Sequence, residues 1–141
     1  MLQALIWDVD GTLAETELQG HRVAFNEAFA AAGLPWRWDE ALYRELLAVP
    51  GGKERLRHYL ERHRPPLPPR WRELAAREAL VQRLHRDKNR RYAALVAAGR
   101  IPLRPGVRRL LAEARRAGLR QAVATTTSPE NVSALLRRLL G

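Results

Sequence analysis

Asp8-Val9-Asp10-Gly11-Thr12-Leu13 decides how this 141-residue chain is read. The hexamer follows a short apolar run, Leu2 to Trp7, interrupted only by Gln3. Such a run suits a strand buried on both faces, as in a parallel sheet. Two acids then stand where that strand ends. Carboxylates two residues apart on an extended segment point to the same side. One can attack a phosphorus atom while the other moves a proton. Gly11 lets the backbone turn sharply and approach a ligand closely. Two charges beside a buried strand are costly without a cation or another role, which argues against a merely solvated turn.

Helical periodicity dominates the next ninety or so residues. A helix is expected from Glu17 to Ala32, with Phe25, Ala28, Phe29 and Ala32 on one stripe and Gly33 as its stop. Asp39 can cap a second helix with Leu42, Tyr43, Leu46 and Leu47 on one side, and Pro50-Gly51-Gly52 breaks it. A third runs from Lys53 to His63 with Leu56, Tyr59 and Leu60 inward. Arg64 to Arg70 holds four prolines and reads as a stiff connector. A long helix follows from Trp71 to Ala98, with Leu74, Leu84, Leu95 and Val96 expected to be buried.

Another helix is expected from Gly106 to Ala117, with Val107, Leu110, Leu111 and Ala114 inward. Leu119 to Ala124 reads as a second strand. Ser128 is a good N-cap and Pro129 a good first residue for a last helix. The order strand, helical insert, helix, strand, helix implies an α/β core formed by residues 1–14 and 103–141, interrupted by a helical cap of residues 15–102. Thr125 stands at the end of the second strand, where ligands gather in open α/β sheets. A hydroxyl there, beside amides at a helix N-terminus, suits a phosphate oxygen.

The hexamer resembles the first motif of the haloacid dehalogenase superfamily, and Ala-Val-Ala-Thr125 resembles its second. Further blocks extend the likeness in order along the chain. They are Ala14-Glu15-Thr16-Glu17, His21-Arg22, Phe25-Asn26, Gly51-Gly52-Lys53-Glu54-Arg55, His85 with Lys88, Arg104-Pro105-Gly106-Val107 and Thr125 to Asn131. The set is similar to that of the CbbY-type phosphatases, relatives of beta-phosphoglucomutase. The resemblance implies a Rossmann-like core with an inserted cap. It also implies dephosphorylation of a sugar phosphate resembling xylulose 1,5-bisphosphate. Asp8 would then be the nucleophile that forms an aspartyl-phosphate, and Asp10 the acid and base. Thr125 would hold the transferring phosphoryl group, with Thr126, Thr127 and Asn131 beside it. Mg²⁺ would bind the Asp8 carboxylate and the Asp10 carbonyl, because a hard divalent cation offsets the repulsion between carboxylate and phosphate.

The cap residues implied to bind substrate are Glu17, His21, Gly51, Gly52, Lys53, His85 and Lys88. Glycines before Lys53 let backbone amides face an anion. His85 and Lys88 share a helix face, although Lys88 reads equally well as a solvated lysine and His21 more readily as a packed or surface histidine. The resemblance further implies another stretch of α/β sequence carrying a third-motif Lys and fourth-motif acids, positions that no residue here takes. The 141 residues are therefore expected to be an incomplete enzyme with an unpaired sheet edge through which copies could associate. Phosphoglucomutase-like transfer is the alternative within the class. A non-catalytic remnant that binds a phosphorylated ligand or a partner is the alternative outside it.

Bulk properties narrow the field. A hydrophobic content of 46% is ordinary for a globular protein. The absence of cysteine excludes disulfides and thiolate metal sites. No apolar run approaches the roughly 18 residues that span a bilayer, and no signal peptide is visible, so the cytoplasm is the expected compartment and no membrane partner is expected. The net charge of +10 comes from 25 basic and 15 acidic residues. The arginines lie along several helices rather than in one run, and no RNA-binding or zinc-finger signature appears, so nucleic acid is not the expected partner.

Overall fold

The computed structural model describes residues 1–127 and 129–141; Ser128, the expected cap of the last helix, lies outside the described residues. In chain order the elements are β1 (Ala4–Trp7), α1 (Arg22–Ala31), α2 (Glu40–Leu46), α3 (Gly52–Arg62), α4 (Leu74–Ala97), α5 (Val107–Arg116), β2 (Arg120–Val123) and α6 (Pro129–Leu140). A π turn, Glu17–His21, precedes α1, and a 3₁₀ turn, Pro69–Trp71, precedes α4. The architecture is α/β, as the alternation of apolar runs and helical stripes predicts. Packing divides the chain into two compact units, Met1–Gly20 with Ala93–Gly141, and His21–Tyr92.

The first unit is built on a parallel pair. β1 and β2 match Ala4 to Arg120, Leu5 to Gln121, Ile6 to Ala122 and Trp7 to Val123. Trp7 Nε1 donates to Gln121 Oε1 at 3.0 Å, and Gln121 Nε2 donates to the Leu111 carbonyl at 3.1 Å. Those two bonds tie the sheet to α5. On this face Trp7, Leu13, Leu111, Val123, Leu136 and Leu140 border a cavity of about 500 Å³. The opposite face is bare, and Ile6 is 72% exposed. The expectation of a strand buried on both faces is thereby corrected: two strands with helices on one side leave the other side to solvent.

The second unit is helical and closes around Trp38, which is fully buried. Its ring lies 4.7 Å from Phe25, 5.0 Å from Phe29 and 5.3 Å from Tyr59 between centroids. These are distances at which tilted and edge-on aromatic pairs attract. The Asn26 side chain clamps the same residue's backbone. Its Nδ2 donates to the Trp38 carbonyl at 2.8 Å, and its Oδ1 accepts from the Trp38 amide at 2.7 Å. Asp39 Oδ1 accepts from the Leu42 amide at 2.8 Å, the N-cap expected from the sequence.

Arg55 is the least expected core residue, only 8% exposed. Its Nε donates to the Leu46 carbonyl and its Nη2 to the Val49 carbonyl, both at 3.1 Å. Its Nη1 donates to the Tyr43 hydroxyl at 3.2 Å. The guanidinium thus adds a second donor to the Leu46 carbonyl, which also accepts from the Val49 amide at 3.1 Å, and bonds the Val49 carbonyl just beyond α2.

Several expectations are corrected at element ends. The helix expected from Glu17 begins as a π turn and becomes α-helical only at Arg22. Leu74 is 80% exposed rather than buried, because it is the first residue of α4 and the 3₁₀ turn before it ends three residues earlier. Leu110 is also exposed, while Val107 and Ala114 of the same helix are buried. Among the described residues, no helix is long and apolar enough to cross a membrane.

Replacing Trp38 by Ala is expected to destabilise the protein by about 3–5 kcal/mol, the range for emptying a buried aromatic site. Ile6→Thr is expected to change stability by no more than about 0.5 kcal/mol, since that side chain already faces water. Urea denaturation of both variants measures the contrast.

Candidate active site

Because β1 and β2 run parallel, the loops that follow them leave the same end of the sheet. The first loop carries Asp8 to Leu13. It is held by amides of Thr12, Leu13 and Ala14 donating to the Val9 carbonyl, at 3.2, 3.0 and 3.3 Å, and by the Gly11 amide donating to the Ala14 carbonyl at 2.9 Å. Gly11 has φ of 73°, a left-handed conformation that glycine adopts without strain. The second loop carries Thr125 to Thr127. Thr127 Oγ1 donates to Asp10 Oδ2 at 2.7 Å, which joins the two.

Asp8 is exposed and accepts from Thr12 Oγ1 at 2.8 Å. Thr125 is half-buried, and its Oγ1 accepts from the Thr127 amide at 3.2 Å. Thr126 is exposed. The Glu17 side chain passes beside the turn, 3.9 Å from where a β-carbon on Gly11 would sit. Asn131, on α6, lines a crevice of about 400 Å³ with Ala93, Val96 and Ala134.

Thr12 and Arg104 also take part in this site. Thr12 lies inside the quoted hexamer, so its position was legible although its bond to Asp8 was not. Arg104 Nη1 donates to the Gly11 carbonyl at 2.8 Å and lies 3.5 Å from the Glu15 carboxylate. Its amide also donates to the Leu13 carbonyl at 3.0 Å. Arg104 braces the acidic loop, and the Arg-Pro-Gly-Val block was its only sequence signal.

The remaining candidates belong to the helical unit. Gly51 has φ of 87° and stands at the N-cap of α3, followed by Gly52 and the half-buried Lys53 in the first turn. A β-carbon on Gly52 would lie 2.8 Å from the His85 ring, so the glycine is what lets that imidazole pack against the helix start. Lys88 is only 7% exposed and rests 5.1 Å from the Phe25 ring and 5.7 Å from the Tyr92 ring. The reading of Lys88 as a solvated lysine is corrected: cation–π contact and burial of its stem draw it inward. His21 stacks on Tyr92 with centroids 4.1 Å apart and planes 10° apart.

The family profile of the haloacid dehalogenase-like hydrolases matches residues 2–141. The chain belongs to that family. The small parallel sheet with six α-helices among the described residues is the haloacid dehalogenase-like fold. The chain is 54% identical over 147 aligned positions to the plasmid-borne CbbY protein of Cupriavidus necator, covering 99% of this chain and 53% of that one. It is 51% identical over 144 positions to CbbY of Cereibacter sphaeroides, covering 100% of this chain and 57% of that one. Among solved structures it resembles a CbbY variant from Rhodobacter sphaeroides in complex with xylulose 1,5-bisphosphate. The TM-score is 0.78 and the identity 50%, over 100% of this chain and 58% of that one. The chain thus spans a little over half the length of these relatives.

His85 yields a pH prediction for this haloacid dehalogenase-like chain. Burial holds its imidazole below the ordinary value, and the positive charges of Lys88 and Lys53 push the same way, with Glu54 opposing. A histidine depressed in the folded state resists protonation that the unfolded chain accepts. Stability is therefore full above about pH 6.5 and is lost as pH falls from there through the folded-state value. His85→Gln is expected to flatten the fall in denaturation midpoint between about pH 7 and 5, measured by urea titration at both ends.

Proposed function

We propose that this chain carries the nucleophile-bearing part of a phosphatase acting on a phosphorylated sugar resembling xylulose 1,5-bisphosphate. The observation that carries the reading is the 2.7 Å bond from Thr127 to Asp10, which joins the acidic loop and the threonine loop at one end of a parallel pair. The xylulose 1,5-bisphosphate bound by the Rhodobacter sphaeroides relative supports the substrate class.

In this reading the Asp8 carboxylate attacks phosphorus, forming an aspartyl-phosphate as the bond from phosphorus to the sugar oxygen breaks. Asp10, carrying a proton, gives it to that leaving oxygen. The Asp10 carboxylate then takes a proton from water as the water oxygen attacks the aspartyl-phosphate, which releases inorganic phosphate and restores Asp8. Thr125 and the amides of its loop hold phosphoryl oxygens through both steps. Thr12, through its bond to Asp8, and Arg104, through the Gly11 carbonyl, keep the acidic loop in place.

The donor atoms fit magnesium. The Asp8 carboxylate and the Asp10 carbonyl are hard oxygen ligands, and Mg²⁺ is commonly bound by one or two carboxylates, with waters and substrate phosphate oxygens completing the shell. When bound it neutralises charge between nucleophile and phosphate.

With xylulose 1,5-bisphosphate and Mg²⁺, the protein is expected to release inorganic phosphate, and chelation of the metal is expected to stop release. Asp8→Asn is expected to lower kcat by at least about a thousandfold, the scale of losing a covalent nucleophile. Turnover that survives this change removes Asp8 from its role. Isomerised sugar phosphate without free phosphate replaces the phosphatase reading with phosphoryl transfer.

A further inference from the structure

Within the helical unit, α1 and α4 border a cavity of about 460 Å³ whose wall includes Ala28, Ala31 and Ala32. Four arginines of α4, at positions 83, 86, 90 and 91, line it together with Asp87. Arg83, Arg86 and Arg90 recur at helical spacing, so one side of α4 carries three guanidiniums over about 10 Å.

Asp87 organises part of this row. It accepts from Arg90 Nη2 at 2.5 Å and from Arg91 Nε at 2.9 Å. Burial works against its charge, but the bonds from Arg91 and Arg90 outweigh it and hold the carboxyl below its ordinary value. Arg91 also lies 3.7 Å from the Glu27 carboxylate. Two carboxylates therefore offset two guanidiniums. Among the described residues, Arg83 and Arg86 form no ion pair. The surplus charge of the groove is theirs.

We propose that this groove docks an acidic helical segment of a partner protein. Ala28 is fully buried, but the exposed Ala31 and half-buried Ala32 have no side chain beyond the β-carbon, so another backbone can come close there. The arginine row has the length of two helical turns and meets carboxylates spaced three and four apart on a helix of opposite charge. A single small anion is held poorly here, because guanidiniums as exposed as Arg90, at 81%, are screened by water and salt. Nucleic acid fits less well. Asp87 lines the groove and Glu27 pairs with one of its arginines, both opposing a phosphate backbone, and no aromatic ring lines the groove for a base to stack on.

The test is fluorescence anisotropy with a labelled helical peptide bearing Glu at alternate spacings of three and four, titrated with the intact protein at low and physiological salt. Saturable binding is expected, weakened at least about tenfold in the Arg83→Gln/Arg86→Gln double variant. Ala31→Glu, which adds a negative charge to the alanine wall without touching the arginines, is expected to weaken it similarly. Arg115→Gln/Arg116→Gln, on α5, is expected to leave affinity within about twofold. Absence of saturable binding overturns the proposal. So does undiminished binding by either groove variant, or an equal loss from the α5 variant, which marks attraction to net charge alone. Single-stranded RNA of equal length that binds more tightly through Arg83 and Arg86 overturns it in favour of nucleic acid. No phosphate release is measured, so the outcome is independent of the phosphatase reading.

Discussion

The parallel pairing of β1 with β2, from Ala4 opposite Arg120 to Trp7 opposite Val123, is the constraint on which the rest depends. Parallel strands cannot be joined by a tight turn and need a crossover. Here the crossover contains the whole helical unit and α5. The pairing brings residues as distant in sequence as Asp10 and Thr127 within a hydrogen bond. A slip of one residue would turn Trp7 and Val123 to opposite faces and break the bond from Trp7 to Gln121.

The two units are stabilised in different ways. The α/β unit has one helix-covered face and one bare face, so its sheet side chains divide between the half-buried Trp7 and the exposed Ile6. Its specificity lies in polar ties: Gln121 between sheet and helix, and Arg104 beneath the acidic loop. The helical unit is packed around aromatic rings, and its polar residues serve that packing. Asn26 fixes the Trp38 backbone, and Arg55 bonds carbonyls at and just beyond the end of α2. Breaking the Asn26 or Arg55 bonds leaves a partly or fully buried polar group without a partner, which costs more than the bond itself contributes.

How much could be read beforehand differs by residue. The apolar run before Asp8 and the segment Leu119 to Ala124 marked both strands, because strand formation is encoded in neighbours along the chain. The Asp39 cap and the aromatic stripe from Phe25 to Phe29 were legible for the same reason. Leu74 and Leu110 fit the helical spacing and yet are exposed, because spacing identifies an apolar face but not whether anything lies against it. Lys88 and Arg55 were not foreseen as buried, since their surroundings come from residues such as Phe25, Tyr92 and Leu46, remote or on another helix. In the candidate site, Asp8, Asp10 and the threonines were legible as types in a motif. The bonds among Thr127, Asp10, Thr12 and Arg104 were not.

By itself the sequence determined the elements and the chemical types at their ends: two strands, the helices between and after them, and an acidic turn followed much later by a run of threonines. Those are local properties, set by side-chain periodicity, turn residues and capping groups within a few positions. Only the tertiary structure decided that Ile6 faces water, that Lys88 rests on aromatic rings, that Arg55 bonds the end of α2 and that Thr127 holds Asp10. Each of those outcomes depends on groups distant in sequence or on another element, and no local pattern records which of them will meet.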